Sequence, residues 1–226
     1  MSAHAPRDLQ FLLAEPERRT LRWIAARLPG RILPDHLTLL GVVAAIGILV
    51  AYALSAAEPV WLWAASGLLV VHWLGDSLDG TLARVRGIER PRYGYYLDHL
   101  VDAVATTLVG IGLGLSAHML LITGAIVVVA YLMLSINTYL ETQALGSFNL
   151  GYGLIGPTEI RLLLVALNTA LALGVTPHLA VGGVTLGLLD LAGGGLVVLM
   201  MIALGVRAAR NLKTLALAEP AQRAAA

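Results

Sequence analysis

The chain has 226 residues, of which 58% are apolar and only 13% charged, and it contains no cysteine. Soluble globular proteins have about 45–50% apolar and about 25% charged residues, so this composition indicates a membrane protein. It excludes a disordered chain and a disulfide scaffold, and it also excludes thiolate zinc sites and cysteine nucleophiles.

The first predicted element is an amphipathic helix at about 7–31. Leucine and isoleucine recur near helical spacing, and arginines such as Arg18 and Arg22 form a basic face. This pattern is typical of a helix that lies on lipid headgroups. Pro16 is expected to interrupt it. We assign residues 1–34 to this cytoplasmic, interfacial segment.

Six stretches are long and apolar enough to cross a bilayer, which takes about 20 residues. Breaks that contain glycine or proline separate them. The stretches are 37–55, 60–83, 96–116, 118–141, 158–175 and 187–208. The sequence therefore predicts an all-α integral membrane protein with six transmembrane helices at 35–213, followed by a flexible cytoplasmic tail at 214–226.

The cationic residues predict the orientation of these spans. The fifteen Lys and Arg residues fall into four groups: six before the first span, four in 84–92, one at position 161, and four from Arg207 onward. The loops near 56–59, 117 and 176–186 contain none. Because cationic loops stay in the cytoplasm, we expect both termini and the 84–95 turn on the cytoplasmic side of a cell membrane.

Four aspartates lie on either side of the turn between the second and third spans. Asp76 and Asp79 are spaced i,i+3, and Asp98 and Asp102 are spaced i,i+4, so each pair projects from one helix face. If the two helices are antiparallel, the carboxylates meet at one level, where their repulsion favours divalent cations. Oxygen ligands suit Mg²⁺, Mn²⁺ or Ca²⁺, and Mg²⁺ commonly also binds substrate phosphates. The pattern predicts a metal site for a phosphate-bearing substrate.

The run from Asp76 to Asp102 resembles the signature of the CDP-alcohol phosphotransferase family, D-x2-D-G-x2-A-R-x8/9-G-x3-D-x3-D. The eight matching positions are Asp76, Asp79, Gly80, Ala83, Arg84, Gly94, Asp98 and Asp102. The resemblance implies a transferase of phospholipid biosynthesis. Such an enzyme would move a substituted phosphate group from a CDP-alcohol donor to the hydroxyl of an alcohol or lipid acceptor and release CMP.

The resemblance also implies roles for the acidic and basic residues of the signature. Asp76, Asp79 and Asp98 would hold two divalent cations, Mg²⁺ or Mn²⁺, on the diphosphate. Asp102 would complete the second metal site or act as the base. Arg84 would hold a phosphate. A carboxylate base and metal-stabilised leaving group are chemically consistent with this reaction.

The nucleotide would bind beside the small residues of the signature, with Gly80 and Ala83 making room for the cytidine. The family often has Pro-Asn-x-Leu-Thr where the first span begins. Pro34 and Thr38 match this pattern, but Asp35 stands in place of the asparagine. The same run could be a helix cap, so capping and nucleotide contact remain alternatives.

The acceptor pocket is predicted near the cytoplasmic ends of the fourth and fifth spans. Four polar residues are candidates: Asn137, Glu141, Glu159 and Arg161. Glu159 and Arg161 could equally be helix-end charges at the headgroups. Because Arg161 is the only added cation in these spans, we favour an acceptor without phosphate.

Two further alternatives concern function and assembly. Intramembrane acids also line ion pathways, so an ion or solute transporter is the rival function, although these acids cluster at one end of the spans. The glycines of Gly110-x-Gly112-x-Gly114 allow close helix packing, either in a homodimer or within one subunit. We expect membrane lipids as partners and no nucleic acid.

Overall fold

The computed structural model describes residues 13–145 and 156–219. Within these ranges the chain forms seven α-helices and one short β-hairpin. The helices are α1 (Ala14–Ala25), α2 (Pro34–Ser55), α3 (Trp61–Arg86), α4 (Pro91–Leu115), α5 (Leu121–Leu145), α6 (Pro157–Ala172) and α7 (Leu188–Ala218). Residues 1–12 and 220–226 of the predicted terminal segments lie outside the described residues, as do residues 146–155.

Helices α2 to α7 follow the six predicted spans in order. Four of them, α2, α4, α5 and α7, are long and apolar enough to cross a membrane, among the residues that the structure describes. Helix α6 has only 16 residues, and α3 carries Asp76 and Asp79 in its second half. Length and hydropathy therefore support an all-helical integral membrane protein with four clear candidate spans rather than six.

Helix α1 is present, and Pro16 does not interrupt it, contrary to the sequence prediction. Pro16 lies in the first turn of Ala14–Ala25. The N–H groups of a first helical turn have no acceptor within the helix, so a proline costs little there. The helix ends at Ala25, earlier than predicted.

The apolar face of α1 packs against α3. Leu21 and Ala25 are buried in one cluster with Leu78 and Leu82 of α3 and Leu37 of α2. Burying a leucine side chain contributes about 1.5–3 kcal/mol. This packing fixes α1 beside the half of α3 that carries the aspartates.

Helices α2 and α3 touch backbone to backbone at two glycines. A Cβ atom on Gly75 would lie 2.6 Å from the nitrogen of Gly41 and 2.7 Å from the carbonyl oxygen of Leu37. No side chain fits in that space, so only glycine at position 75 allows this approach. The contact brings Thr38 of α2 next to the aspartates of α3.

The glycines of α4 pack within the chain, which supports one of the two predicted alternatives. A Cβ on Gly112 would lie 2.8 Å from Cα of Leu49, and a Cβ on Gly114 would lie 2.8 Å from Cα of Leu121. These close approaches place α4 against α2 and against the start of α5. They account for the Gly-x-Gly-x-Gly spacing without a second copy of the chain.

A β-hairpin that the sequence analysis did not predict lies between α6 and α7. Strands β1 (Leu179–Val181) and β2 (Val184–Leu186) pair antiparallel. Gly182 and Gly183 form the two-residue turn with φ values of 57° and 82°. A Gly-Gly pair between short apolar runs is a known hairpin signal, so the sequence did contain this information.

Candidate active site

A narrow cleft between α2, α3 and α4 brings three of the four signature aspartates together. Its lining consists of Thr38, Gly41, His72, Asp76, Asp79, Asp98 and Val101. Asp102 lies one helical turn beyond Asp98 and interacts electrostatically with Asp76 and Asp98. The antiparallel arrangement of α3 and α4 therefore places all four carboxylates in one neighbourhood.

Asp79 is held from two sides. Thr38 Oγ1 donates a hydrogen bond of 2.6 Å to Asp79 Oδ2, and the Gly80 backbone N–H donates to Oδ1 at 2.5 Å. Thr38 Oγ1 also lies 3.3 Å from the carbonyl oxygen of Pro34. Thr38 thus links the first turn of α2 directly to the signature.

Asp76 forms an ion pair with Arg161 of α6. Arg161 Nη2 donates to Asp76 Oδ2 at 2.6 Å, and the two side chains are 16% and 19% exposed. Charge-assisted bonds of this kind are among the stronger hydrogen bonds in proteins. Arg161 also interacts electrostatically with His72 and Asp102. This cation therefore belongs to the aspartate cluster.

The chemistry of the donor set fits a hard divalent cation, because four carboxylates from two adjacent helices gather at the cleft. Within residues 13–145 and 156–219, however, no three His, Asp or Glu side chains converge on a ready-made metal position. Asp76 is turned toward Arg161, and Asp79 is turned toward Thr38 and Gly80. A cation would therefore bind through the carboxylate lone pairs that these bonds leave open, or after the side chains reorient.

The α3 residues that were predicted to bind the CDP-alcohol lie along one face of the helix. A Cβ on Gly80 would lie 3.3 Å from Arg84 Nη1, so the guanidinium folds back over the glycine. Arg84 Nη2 also donates to Thr81 Oγ1 at 3.1 Å. Ala83 is partly exposed on this stretch of helix. The structure places a cation and two small residues immediately after Asp79.

The start of α2 is organised differently from the predicted cap. Pro34 is the first helical residue, and the N–H of Leu33 donates to His36 Nδ1 at 3.3 Å. Asp35 instead forms an ion pair with Arg90 in the turn before α4. Asp35 is therefore not the capping residue, because its carboxylate serves to join the turn to α2.

Two of the four predicted acceptor residues, Asn137 and Glu141, lie on α5. Glu141 of α5 is buried and accepts hydrogen bonds from Arg207, at 2.5 and 3.0 Å, and from Asn211, at 3.1 Å. Asn137 is half-buried one turn before Glu141. Arg207 and Asn211 were not predicted as partners of Glu141, although an acid near the end of one predicted span and cations near the end of another are a signal for such pairing.

Glu159 fits the helix-end alternative. Its carboxylate accepts hydrogen bonds from the N–H of Gly156 at 2.9 Å and from the N–H of Leu13 at 3.0 Å. It therefore closes the start of α6 and joins that helix to the residue before α1. Among the four predicted acceptor residues, Arg161 contacts the aspartate cluster through Asp76.

Glu17 of α1 is a central contact that the sequence analysis did not identify. Its carboxylate accepts hydrogen bonds from Trp73 Nε1 at 2.6 Å, Ser77 Oγ at 3.3 Å and Thr158 Oγ1 at 2.9 Å. Ser77 follows the first aspartate of the signature. Glu17 thus joins α1, α3 and α6 behind the cleft.

The chain matches the sequence model of CDP-alcohol phosphatidyltransferases over residues 31–192. It belongs to this family. The match contains the whole cleft and every signature position, and it identifies the protein as a membrane transferase of phospholipid biosynthesis. No curated protein sequence matches the chain.

Among solved structures, the chain is similar to the crystal structure of Mycobacterium tuberculosis phosphatidylinositol phosphate synthase with CDP-DAG bound. The TM-score is 0.57, the sequence identity is 24%, and the alignment covers 94% of this chain and 100% of that one. At this identity the likeness shows a shared fold. The membrane phosphatidyltransferase fold agrees with the family assignment.

Proposed function

We propose that this phosphatidyltransferase moves a substituted phosphate group from a CDP-alcohol to an acceptor hydroxyl, releases CMP, and depends on Mg²⁺ or Mn²⁺. The observation that carries the proposal is the cleft in which Asp76, Asp79 and Asp98 meet, with Asp102 adjacent. These residues stand at the signature spacing on α3 and α4.

Asp76, Asp79 and Asp98 are the residues that would hold two divalent cations. When bound, these cations supply positive charge for the diphosphate and for the CMP leaving group. Arg84 adds a fixed cation with a planar donor fork that matches phosphate oxygens. Gly80 and Ala83 leave space on the same helix for the cytidine.

Asp102 is the residue best placed to accept the proton of the acceptor hydroxyl. It lies one turn beyond Asp98 along α4, and therefore deeper toward the membrane. In the reaction, the acceptor oxygen bonds to the phosphorus of the transferred group and the phosphoanhydride bond to CMP breaks. Asp102 takes the hydroxyl proton as the new bond forms, and a second role as a metal ligand is compatible with this position.

The arrangement of the cations supports an acceptor without phosphate. Arg161 is already paired with Asp76, and Arg207 with Glu141. Either a diacylglycerol acceptor with a CDP-linked headgroup, or a polar acceptor with a CDP-diacylglycerol donor, is consistent with the site. The related synthase was solved with CDP-DAG, which makes CDP-diacylglycerol the first donor to test.

We further propose six spans, with α3 and α6 crossing beside the four more apolar helices. The interfacial segment 1–34 and the tail 214–226 would then flank a catalytic domain at 35–213. The positions of the fifteen Lys and Arg residues support cytoplasmic termini and a cytoplasmic cleft. Helix α1 would lie on the headgroups, held to the domain by Glu17 and Leu21.

The proposal is tested by incubating the purified protein with a panel of CDP-alcohols and acceptors, with Mg²⁺ or Mn²⁺, and following CMP release. We expect CMP and the transferred product in equal amounts from at least one pair. The transporter alternative expects solute flux in sealed vesicles without nucleotide and no CMP. Flux without CMP would contradict the proposed function.

A further inference from the structure

A second cavity, of about 290 Å³, lies between α1 and α3. Its lining consists of Arg18, Arg22, Thr81, Arg84 and Val85. Three of these five residues are arginines, in a chain with only 13% charged residues. The cavity is therefore strongly cationic for its size.

Helical spacing explains how the two walls face each other. Arg18 and Arg22 are spaced i,i+4 on α1, and Thr81, Arg84 and Val85 lie within one turn of α3, so each set shares a helix face. Arg84 lines this cavity and also lies near the aspartates, because its guanidinium folds over Gly80, beside Asp79. The cavity adjoins the aspartate cleft through this one side chain.

Glu15 compensates one of the cavity's charges, that of Arg18. Glu15 forms ion pairs with Arg18 and Arg19 on the surface of α1, and these arginines hold the pKa of the Glu15 carboxyl below its usual value. Within the described part of the chain, the Arg22 side chain makes no hydrogen bond or ion pair. A guanidinium presents several donors in a plane that matches two phosphate oxygens.

We infer that this cavity binds a phosphate group, as a monoester or diester, between the arginines of α1 and Arg84 of α3. The volume is close to the lower end of the about 300–1,000 Å³ typical of small-molecule sites, so it has room for a small group attached to the phosphate. The occupant is the phosphate headgroup of an anionic lipid, because the basic face of α1 is typical of a helix that lies on lipid headgroups. A nucleotide phosphate belongs to the donor site proposed above. This binding site goes beyond the transfer reaction proposed above.

The test measures binding without turnover, using the full-length protein in mild detergent. Native mass spectrometry reports the affinity for phosphatidic acid, and titration calorimetry reports the affinity for CDP. The informative variant is Arg22→Gln, which removes an exposed charge and keeps a long polar side chain. The matched control is Arg27→Gln, because Arg27 stacks on Trp23 and does not line the cavity.

We expect Arg22→Gln to weaken binding of phosphatidic acid about tenfold, the scale for a lost hydrogen bond to a charged group, with CDP affinity unchanged, while Arg27→Gln binds like the wild type. A loss of CDP affinity in Arg22→Gln would assign Arg22 to the donor site and overturn the inference. Unchanged affinity for both probes, or an equal loss in Arg27→Gln, would overturn the inference. Arg18→Gln provides a second variant with the same expectation. Because no CMP is measured, a failure of the transfer reaction leaves this result interpretable.

Discussion

Arg161 of α6 donates a 2.6 Å hydrogen bond to Asp76 of α3, so the first aspartate of the signature has a protein cation as its partner. The two residues are 85 positions apart in the chain. Their pairing compensates part of the negative charge that four neighbouring aspartates create. A divalent cation bound in the cleft would compensate the same charge.

The first prediction concerns the negative charge of the aspartates, which both Arg161 and a bound cation would compensate. Arg161→Gln leaves the Asp76 carboxylate facing other carboxylates. We expect the free energy of unfolding to fall by about 2 kcal/mol, which is typical of a lost hydrogen bond to a charged group. Thermal unfolding in EDTA should show a lowered Tm, and Mg²⁺ should raise the Tm of the variant more than that of the wild type. Arg210→Gln, an exposed position on α7, is the control. An equal response to Mg²⁺ in all three proteins would show that Arg161 and the cation do not share this role.

The second prediction separates the roles of two aspartates. Asp102→Asn should retain CDP-alcohol binding but lose transfer by about a hundredfold or more, the scale of a general-base contribution. Asp79→Asn should weaken donor binding itself, since Asp79 lines the cleft and holds Thr38. Titration calorimetry with the donor and Mg²⁺ gives the comparison. If both variants lose donor binding equally, Asp102 is chiefly a metal ligand and the base assignment is wrong.

The third prediction concerns Glu141, which the sequence placed in the acceptor pocket and the structure pairs with Arg207. Glu141→Gln leaves Arg207 as a largely buried charge without its ionic partner, because the two side chains are 6% and 14% exposed. Breaking a buried pair from one side costs about 3–5 kcal/mol, so the Tm should fall. An unchanged Tm together with a raised KM for the acceptor would contradict this structural role and would support a role for Glu141 in the acceptor pocket.

The fourth prediction tests the orientation in the membrane. The chain has no native cysteine, so single cysteines can be labelled cleanly. Glu89→Cys, in the turn between α3 and α4, should react with an impermeant reagent only from the cytoplasmic side, and Thr176→Cys only from the outside. Both positions are exposed and avoid the glycines with positive φ at 87, 182 and 183. Labelling of both from the same side would rule out the proposed six-span topology.

The sequence predicted the features that depend on local spacing. Asp76 with Asp79, and Asp98 with Asp102, lie one helical turn apart, and any antiparallel pairing of α3 and α4 brings them together. The order of the long helices also follows from apolar runs separated by Gly and Pro. Short stretches of the sequence are enough to determine these features.

Contacts between residues that are far apart in the chain could not be predicted from local spacing. Thr38 meets Asp79 because two glycines let α2 and α3 touch, and Glu17 meets Thr158 across 141 positions. Nothing in the local pattern specifies which charged residue pairs with which. Pro16 was misjudged for a different reason: its effect depends on where the helix begins, and boundaries are less certain than periodicity.

Metal-dependent CMP release is the most direct test of the account. The purified wild-type protein should release CMP from its CDP-alcohol in Mg²⁺ or Mn²⁺, and excess EDTA should reduce this to the level of Asp76→Asn or Asp98→Asn, with activity returning when the cation is restored. Full CMP release in excess EDTA would contradict the proposal that these aspartates act through divalent cations.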